Sequence, residues 1–196
     1  MYPRLAIDLK KVKNNLDKIT QMVKGSGSSL MIVTKGYSAD MEIYKLLDES
    51  NIDYLADSRI QNLKKYEGTK KGRVLLRLPM NSETDEVVKY ADVSLNSELK
   101  TIKNLNESAK VQDKIHKILL MIDFGDLREG IFFKNEDEIN YTVEEILKLE
   151  NIEIFGLGVN LTCYGAVIPK KDNLSVLVDI ARKIEKKYDI KLQMIS

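Results

Sequence analysis

The stretch SLMIVTKG (residues 29–36) decides the fold class of this chain. Its apolar run, Leu30 to Val33, is typical of a buried β-strand and is followed at once by Thr34, Lys35 and Gly36. An open, doubly wound sheet usually carries a GxGxxG turn or a phosphate loop after its first strand. Because neither motif follows this run, the sequence favours a (β/α)8 barrel, a TIM-type α/β fold, over an open sheet.

Short apolar runs alternate with amphipathic segments along the rest of the chain. This alternation predicts parallel βαβ units, in which helices cover both faces of the sheet. About seven such units follow a short apolar segment at residues 5–9. The predicted strands are 29–34, 52–56, 73–78, 93–95, 117–122, 152–159 and 191–195, and the predicted helices are 12–23, 41–50, 58–66, 83–90, 97–110, 137–149 and 173–188.

The composition is that of a globular protein and excludes several function classes. The 196 residues include 31 Lys and Arg against 30 Asp and Glu, a net charge of +1, and 43% are hydrophobic. This balance argues against disorder and against a protein dedicated to nucleic acids or membrane surfaces. The sequence shows no secretory signal, and its lone Cys163 cannot form an internal disulfide, so a cytoplasmic location is expected. No linker or repeat marks a second domain, and residues 1–196 are expected to form one.

Polar residues follow the apolar runs at the predicted strand ends. In a barrel of parallel strands these ends meet at one face, where chemistry gathers. Polar groups converging there are costly unless they bind something, so the sequence predicts a ligand site at this face. The residues at the strand ends are Lys35, Asp57, Arg77, Asn96, Asp123, Asn160 and Ser196.

Lys35 is the most informative of these residues. At the end of a buried strand, desolvation is expected to lower the pKa of its amine and make it a nucleophile, suited to forming a Schiff base with a carbonyl compound. The alternative is a lysine that extends its charged end into solvent at a strand exit.

Two glycine-containing loops are further candidates. In the loop from Asp123 to Gly130, two glycines bracket Arg128 and can aim its guanidinium inward; the alternative is a surface turn with an ordinary salt bridge. In the segment from Gly156 to Gly165, small residues precede three hydrogen-bonding side chains. The single His116 precedes its predicted strand and is expected at the opposite face, so the residues support neither a Ser/His/Asp triad nor a zinc site.

Motifs spread over the whole chain carry a family resemblance. They are Tyr2-Pro3-Arg4, Val33 to Tyr37, Leu55 to Ile60, Arg77 to Met80, Ser94 to Leu99, Asp123 to Gly130 and Asn160 to Gly165. In these motifs and their order the sequence resembles the alanine racemase-like family of pyridoxal 5'-phosphate (PLP) enzymes, fold type III, and within it the ornithine racemase and alanine/ornithine racemase-like subgroup.

The resemblance implies roles for individual residues. Lys35 matches the lysine that forms a Schiff base with PLP, and Arg128 matches an arginine near the cofactor's phenolic oxygen. Asn160 stands where many alanine racemases have a histidine near the pyridine ring. The motifs alone place four more residues in the cofactor site: Tyr37, Asp57, Arg59 and Asn96.

The implied activity is racemisation of a free amino acid of the ornithine or alanine type. It proceeds through the Lys35 Schiff base and an α-carbanion whose charge the pyridine ring takes up. Lys35 is the expected base on one face of the substrate, and either Cys163 or Tyr164 is expected to contribute the second. The complete enzyme is expected to be a homodimer, with no nucleic-acid or membrane partner.

The C-terminus departs from the family pattern. The chain stops at Gln193 to Ser196, where the loop that holds the cofactor phosphate is expected to begin, and a barrel has about 250 residues. The sequence therefore predicts a barrel truncated before its eighth strand, without the C-terminal part. Two alternatives stay open: a non-catalytic PLP-binding homeostasis protein of the same fold, and an inactive N-terminal fragment.

Overall fold

The computed structural model describes Pro3, residues 6–162, Gly165 and residues 167–196. Its chain divides into two compact units, Met1–Val74 and Leu75–Ser196. Each unit is built from parallel strands joined by helices, as the sequence predicts. None of the helices in the described ranges is long and apolar enough to cross a bilayer.

In the first unit, a long helix is followed along the chain by two complete βα repeats. Helix α1 (Leu9–Gly25) is capped by Asp8, whose carboxylate accepts hydrogen bonds from the backbone of the first turn. Strand β1 (Met31–Val33) pairs in parallel with β2 (Tyr54–Asp57). The other elements are a 3₁₀ turn (Lys35–Tyr37), α2 (Met41–Asp48), α3 (Ile60–Lys64) and the first residues of β3 (Gly72–Leu75), which crosses into the second unit.

The second unit is arranged around β5 (His116–Asp123). Residues Ile118 to Ile122 of this strand are all buried, because strands flank it on two sides and its faces are covered. The parallel order is β4 (Val93–Asn96), β5, β7 (Ile152–Gly158) and β8 (Met194–Ile195), and β6 (Ile131–Phe132) pairs with the end of β5. The helices are a 3₁₀ turn (Asn81–Glu83), α4 (Thr84–Tyr90), α5 (Leu99–Val111), α6 (Glu136–Ile146) and α7 (Lys171–Tyr188).

Gly156 allows β8 to lie close against β7. A Cβ atom at this position would come within 1.9 Å of the Met194 carbonyl oxygen. Gly156 and Met194 are partners in the strand pairing, and the Gln193 amide donates to the Phe155 carbonyl at 2.8 Å. The backbone of β8 therefore occupies space that any other residue at position 156 would fill.

The structure corrects several predicted boundaries. The predicted strand 73–78 is observed as Gly72–Leu75, and beyond it the Leu78 carbonyl accepts a hydrogen bond from the Arg77 side chain. His116 is the first residue of β5 and does not precede it. Strand β6 and both 3₁₀ turns were not predicted.

Candidate active site

Lys35 lies just beyond the carboxyl end of β1, in the first unit. The strand ends at Val33, and Lys35 opens the 3₁₀ turn. Its side chain is exposed, and the Nζ atom has no hydrogen bond or ion pair with any described residue. The predicted desolvation is therefore not found, because the end of β1 is not buried: Val33, its last residue, is 42% exposed. Because no described residue pairs with the amine, it is accessible to a carbonyl compound.

A buried carboxylate stands behind this turn. Asp57, the last residue of β2, is fully buried. Its Oδ2 accepts a hydrogen bond from the Thr34 hydroxyl at 2.7 Å, and its Oδ1 accepts one from the Arg59 backbone amide at 2.8 Å. The Asn62 side-chain amide donates to both oxygens, at 3.1 Å each. Asp57 thus links the ends of β1 and β2 to the start of α3.

Tyr37 closes the same turn. Its hydroxyl oxygen is buried and has no hydrogen-bond partner among the described residues. Burial raises the pKa of Tyr37 above its ordinary value, and the hydroxyl of Tyr66 and the carboxylate of Asp57 raise it further. Burial likewise raises the pKa of Tyr66 to about 12. Both phenols therefore stay neutral at physiological pH.

The structure thus brings four of the predicted site residues to the ends of β1 and β2. Lys35 and Tyr37 share the 3₁₀ turn, and Asp57 and Arg59 are joined by the hydrogen bond above. The Arg59 side chain is exposed. Placement at the carboxyl ends of neighbouring parallel strands is the arrangement that the sequence predicted for a ligand site.

In the second unit, Glu129 joins Arg128 to Asn160. The Nε atom of Arg128 lies 3.0 Å from one carboxylate oxygen of Glu129, and the Asn160 side-chain amide donates to the other oxygen. Arg128 belongs to the loop after β5, and Asn160 follows β7. The sequence analysis missed Glu129, although a carboxylate directly after an arginine between two glycines is a detectable signal.

The loop that carries Arg128 is shaped by its own residues. Oδ1 of Asp123 accepts hydrogen bonds from the amides of Gly125, at 2.8 Å, and Leu127, at 3.2 Å. Gly130 has a φ of +124°, and a Cβ there would lie 2.6 Å from the backbone nitrogen of Asp123. Only glycine fits this position, so the tight loop predicted from the two glycines is confirmed.

Asn96 ends β4 but contacts a different set of groups. Its side-chain amide donates to the carbonyl and hydroxyl oxygens of Ser94, and that hydroxyl lies 2.8 Å from Nε2 of His116. Both Asn96 and His116 are buried. Burial lowers the pKa of His116 to about 4, so this ring is neutral at physiological pH and cannot serve as an acid there.

Two predicted residues have no structural account. Cys163 and Tyr164, the candidates for the second base, lie outside the described residues.

Arg77, which the sequence predicted at a strand end, lies two residues beyond the end of β3. Its guanidinium forms a double ion pair with the carboxylate of Glu83.

Residues 7–196 match the sequence profile described as alanine racemase, N-terminal domain. The chain belongs to this family. It is 50% identical over 196 residues to an ornithine racemase of Acetoanaerobium sticklandii, covering all of this chain and 55% of that protein. It is 36% identical over 198 residues to a lysine racemase of Thermotoga maritima, covering all of this chain and 54% of that protein. The chain therefore spans about half the length of these two relatives.

A solved structure confirms the barrel fold expected for the alanine racemase N-terminal domain. An alanine racemase of Clostridium difficile 630 superposes with a TM-score of 0.79 at 22% identity, over 96% of this chain and 50% of that chain. At this identity the likeness establishes the TIM-type fold, with its parallel strands and intervening helices.

Proposed function

We propose that residues 1–196 form the PLP-binding domain of an amino-acid racemase of the ornithine type. The observation that carries this proposal is the Lys35 amine, which lies just beyond the carboxyl end of β1 and has no hydrogen bond or ion pair with the residues that the structure describes. Support also comes from membership of the alanine racemase N-terminal domain family and from the 50% identity to an ornithine racemase.

The residues in the first unit fit the aldehyde end of PLP. A primary amine is the group that attaches to an aldehyde carbon, and Lys35 supplies one that no described carboxylate pairs with. When bound, PLP acts as an electron sink that makes the α-hydrogen of an amino acid acidic. The Nζ atom of Lys35 would remove the α-proton on one face of the substrate for one enantiomer and deliver a proton to that same face when the other enantiomer reacts.

Arg128 and Asn160 are proposed to hold the ring of the cofactor. The guanidinium keeps a fixed positive charge, and the carboxylate of Glu129 restricts its orientation. Either Cys163 or Tyr164 is proposed to move the proton on the opposite face of the substrate. Loss of turnover in Cys163→Ala or Tyr164→Phe supports this role, and unchanged turnover in both variants contradicts it.

The proposed substrates are basic amino acids, because the two curated relatives are named for ornithine and lysine. Alanine is the neutral substrate to be compared with them. We also propose that the complete enzyme acts as a homodimer in the cytoplasm, to be tested by light scattering and by localisation of the tagged protein.

The deciding experiment follows the reaction of Lys35 with PLP. The chain is mixed with PLP, its absorbance spectrum is recorded, and the adduct is reduced with borohydride and mapped by mass spectrometry. We expect the label on Lys35, its loss in Lys35→Ala, and its retention in Lys18→Ala, a lysine on α1. Labelling that does not depend on Lys35 contradicts the proposal.

Chiral analysis of ornithine, lysine and alanine then separates the two PLP-binding functions. Interconversion of the L and D forms that depends on Lys35 supports a racemase. A Lys35 adduct without racemisation of any of the three amino acids supports the non-catalytic PLP-binding protein.

A further inference from the structure

Asp57 matches a cofactor-site motif, but the structure gives it no route to a ligand. Its side chain is fully buried, and both oxygens already accept hydrogen bonds. All of its donors are neutral groups, namely a hydroxyl, a backbone amide and a side-chain amide. Burying a carboxylate without a cation is costly, so such a group is retained where its hydrogen bonds fix a conformation that matters.

The group that Asp57 fixes is Thr34, which immediately precedes Lys35. The Thr34 hydroxyl donates to Asp57 Oδ2 at 2.7 Å, and its backbone amide donates to the Ala56 carbonyl at 2.8 Å. Its own carbonyl accepts from the amides of Tyr37, at 3.3 Å, and Ala39, at 3.2 Å. Thr34 therefore connects the end of β2 to both ends of the turn that carries Lys35.

This turn is strained and needs such an anchor. Ser38 and Ala39 both have left-handed backbone conformations, with φ of 53° and 54°, although neither is glycine. Strained residues of this kind persist only where surrounding contacts determine them. Besides Thr34, the Nζ atom of Lys65 supports the turn by donating to the Ser38 carbonyl at 2.8 Å.

We propose that Asp57 is a positioning residue: through the Thr34 hydroxyl it holds the turn of residues 35–39 in the conformation that presents the Lys35 amine. It does not touch the cofactor. The role of Lys35 in this inference rests on the proposed function, whereas the control of the turn by Asp57 does not.

The test compares four variants. Asp57→Asn keeps the shape but replaces one acceptor oxygen with a donor, which opposes the donors around it. Thr34→Val removes the hydroxyl, and Thr34→Ser keeps it. Asp53→Asn is the matched control, because Asp53 also accepts backbone and side-chain hydrogen bonds beside β2, from Leu30 and Lys24, but at the opposite end of the strand.

The first measurement is hydrogen exchange of the Tyr37 and Ala39 amides, which needs no cofactor. We expect faster exchange in Asp57→Asn and Thr34→Val, and exchange like that of the wild type in Thr34→Ser and Asp53→Asn. Unchanged exchange in both Asp57→Asn and Thr34→Val overturns the proposal. Thr34→Val keeps the test valid if Asp57→Asn does not fold.

The second measurement is the rate at which Lys35 forms its adduct with PLP. We expect a loss of about 10-fold to 100-fold in Asp57→Asn and in Thr34→Val, the scale of a reacting group displaced by about 1 Å. The double variant should lose no more than either single variant, because both remove the same link. Additive losses, or an equal loss in Asp53→Asn, contradict it. If wild-type Lys35 forms no adduct, the proposed function fails, and the exchange result still decides the role of Asp57.

Discussion

Acid should destabilise the second unit through His116. Burial lowers the pKa of this ring from 6.5 to about 4, so the folded chain binds fewer protons than the unfolded chain between these values. The stabilising contribution is fully present above pH 6.5 and is lost as the pH falls towards the folded pKa. The gap corresponds to about 3 kcal/mol in total, of which about 2 kcal/mol is lost by about pH 5.

Urea unfolding at about pH 7.5 and about pH 5 measures this loss. Since glutamine does not titrate, we expect the free energy of unfolding of His116→Gln to fall between these pH values by about 2 kcal/mol less than that of the wild type. Ser94→Ala is the control: it removes the hydrogen-bond partner but leaves the ring buried, so the pH-dependent loss should persist. The same fall in His116→Gln and the wild type would refute the reasoning.

Two further variants test the second unit. Glu129→Gln removes the charge that pairs with Arg128, and we expect this variant to bind PLP about tenfold more weakly in an absorbance titration. The control variant Glu153→Gln should bind PLP like the wild type. Equal affinities would show that the pair does not order the site. Gly130→Ala forces a Cβ against the backbone, and we expect it to lose at least about 2 kcal/mol in thermal unfolding. Gly125→Ala is the control: Gly125 also has a positive φ, but a Cβ there would meet only a side chain, at 3.9 Å. We therefore expect this variant to lose only about 1 kcal/mol of unfolding free energy. Equal losses in the two variants would contradict the steric argument.

The parts of the fold that depend on local pattern could be predicted from the sequence. The apolar run before Lys35 predicted a buried strand; the strand is present, but the expected burial is wrong, since Val33 is 42% exposed. The run also placed Lys35 after the carboxyl end of the strand, because the change from apolar to polar side chains marks where a strand stops. The helices from α4 to α7 were predicted within a few residues for the same reason. The short β6 escaped prediction, since two residues carry no measurable periodicity.

Contacts between distant residues could not be predicted in the same way. Glu129 meets Asn160 across 31 positions of sequence, and the partner of a carboxylate is set by the fold and not by its neighbours in the chain. The expected desolvation of Lys35 is wrong because the end of β1 is exposed, and an apolar run alone does not show whether other elements cover the strand.

Gly156 has a consequence for how this chain can be varied. Strand β8 packs against β7 at the position where Gly156 has no side chain. Scales of β-propensity and hydrophobicity rate glycine poorly in a strand, so they do not predict this requirement. A mutational library over β7 that favours strong strand formers, such as valine or isoleucine, would therefore destabilise the pairing of β7 with β8 at this position. The same library could vary Glu153 more freely, because its side chain is 42% exposed. The tolerance of each position in β7 therefore depends on which neighbouring residues pack against it.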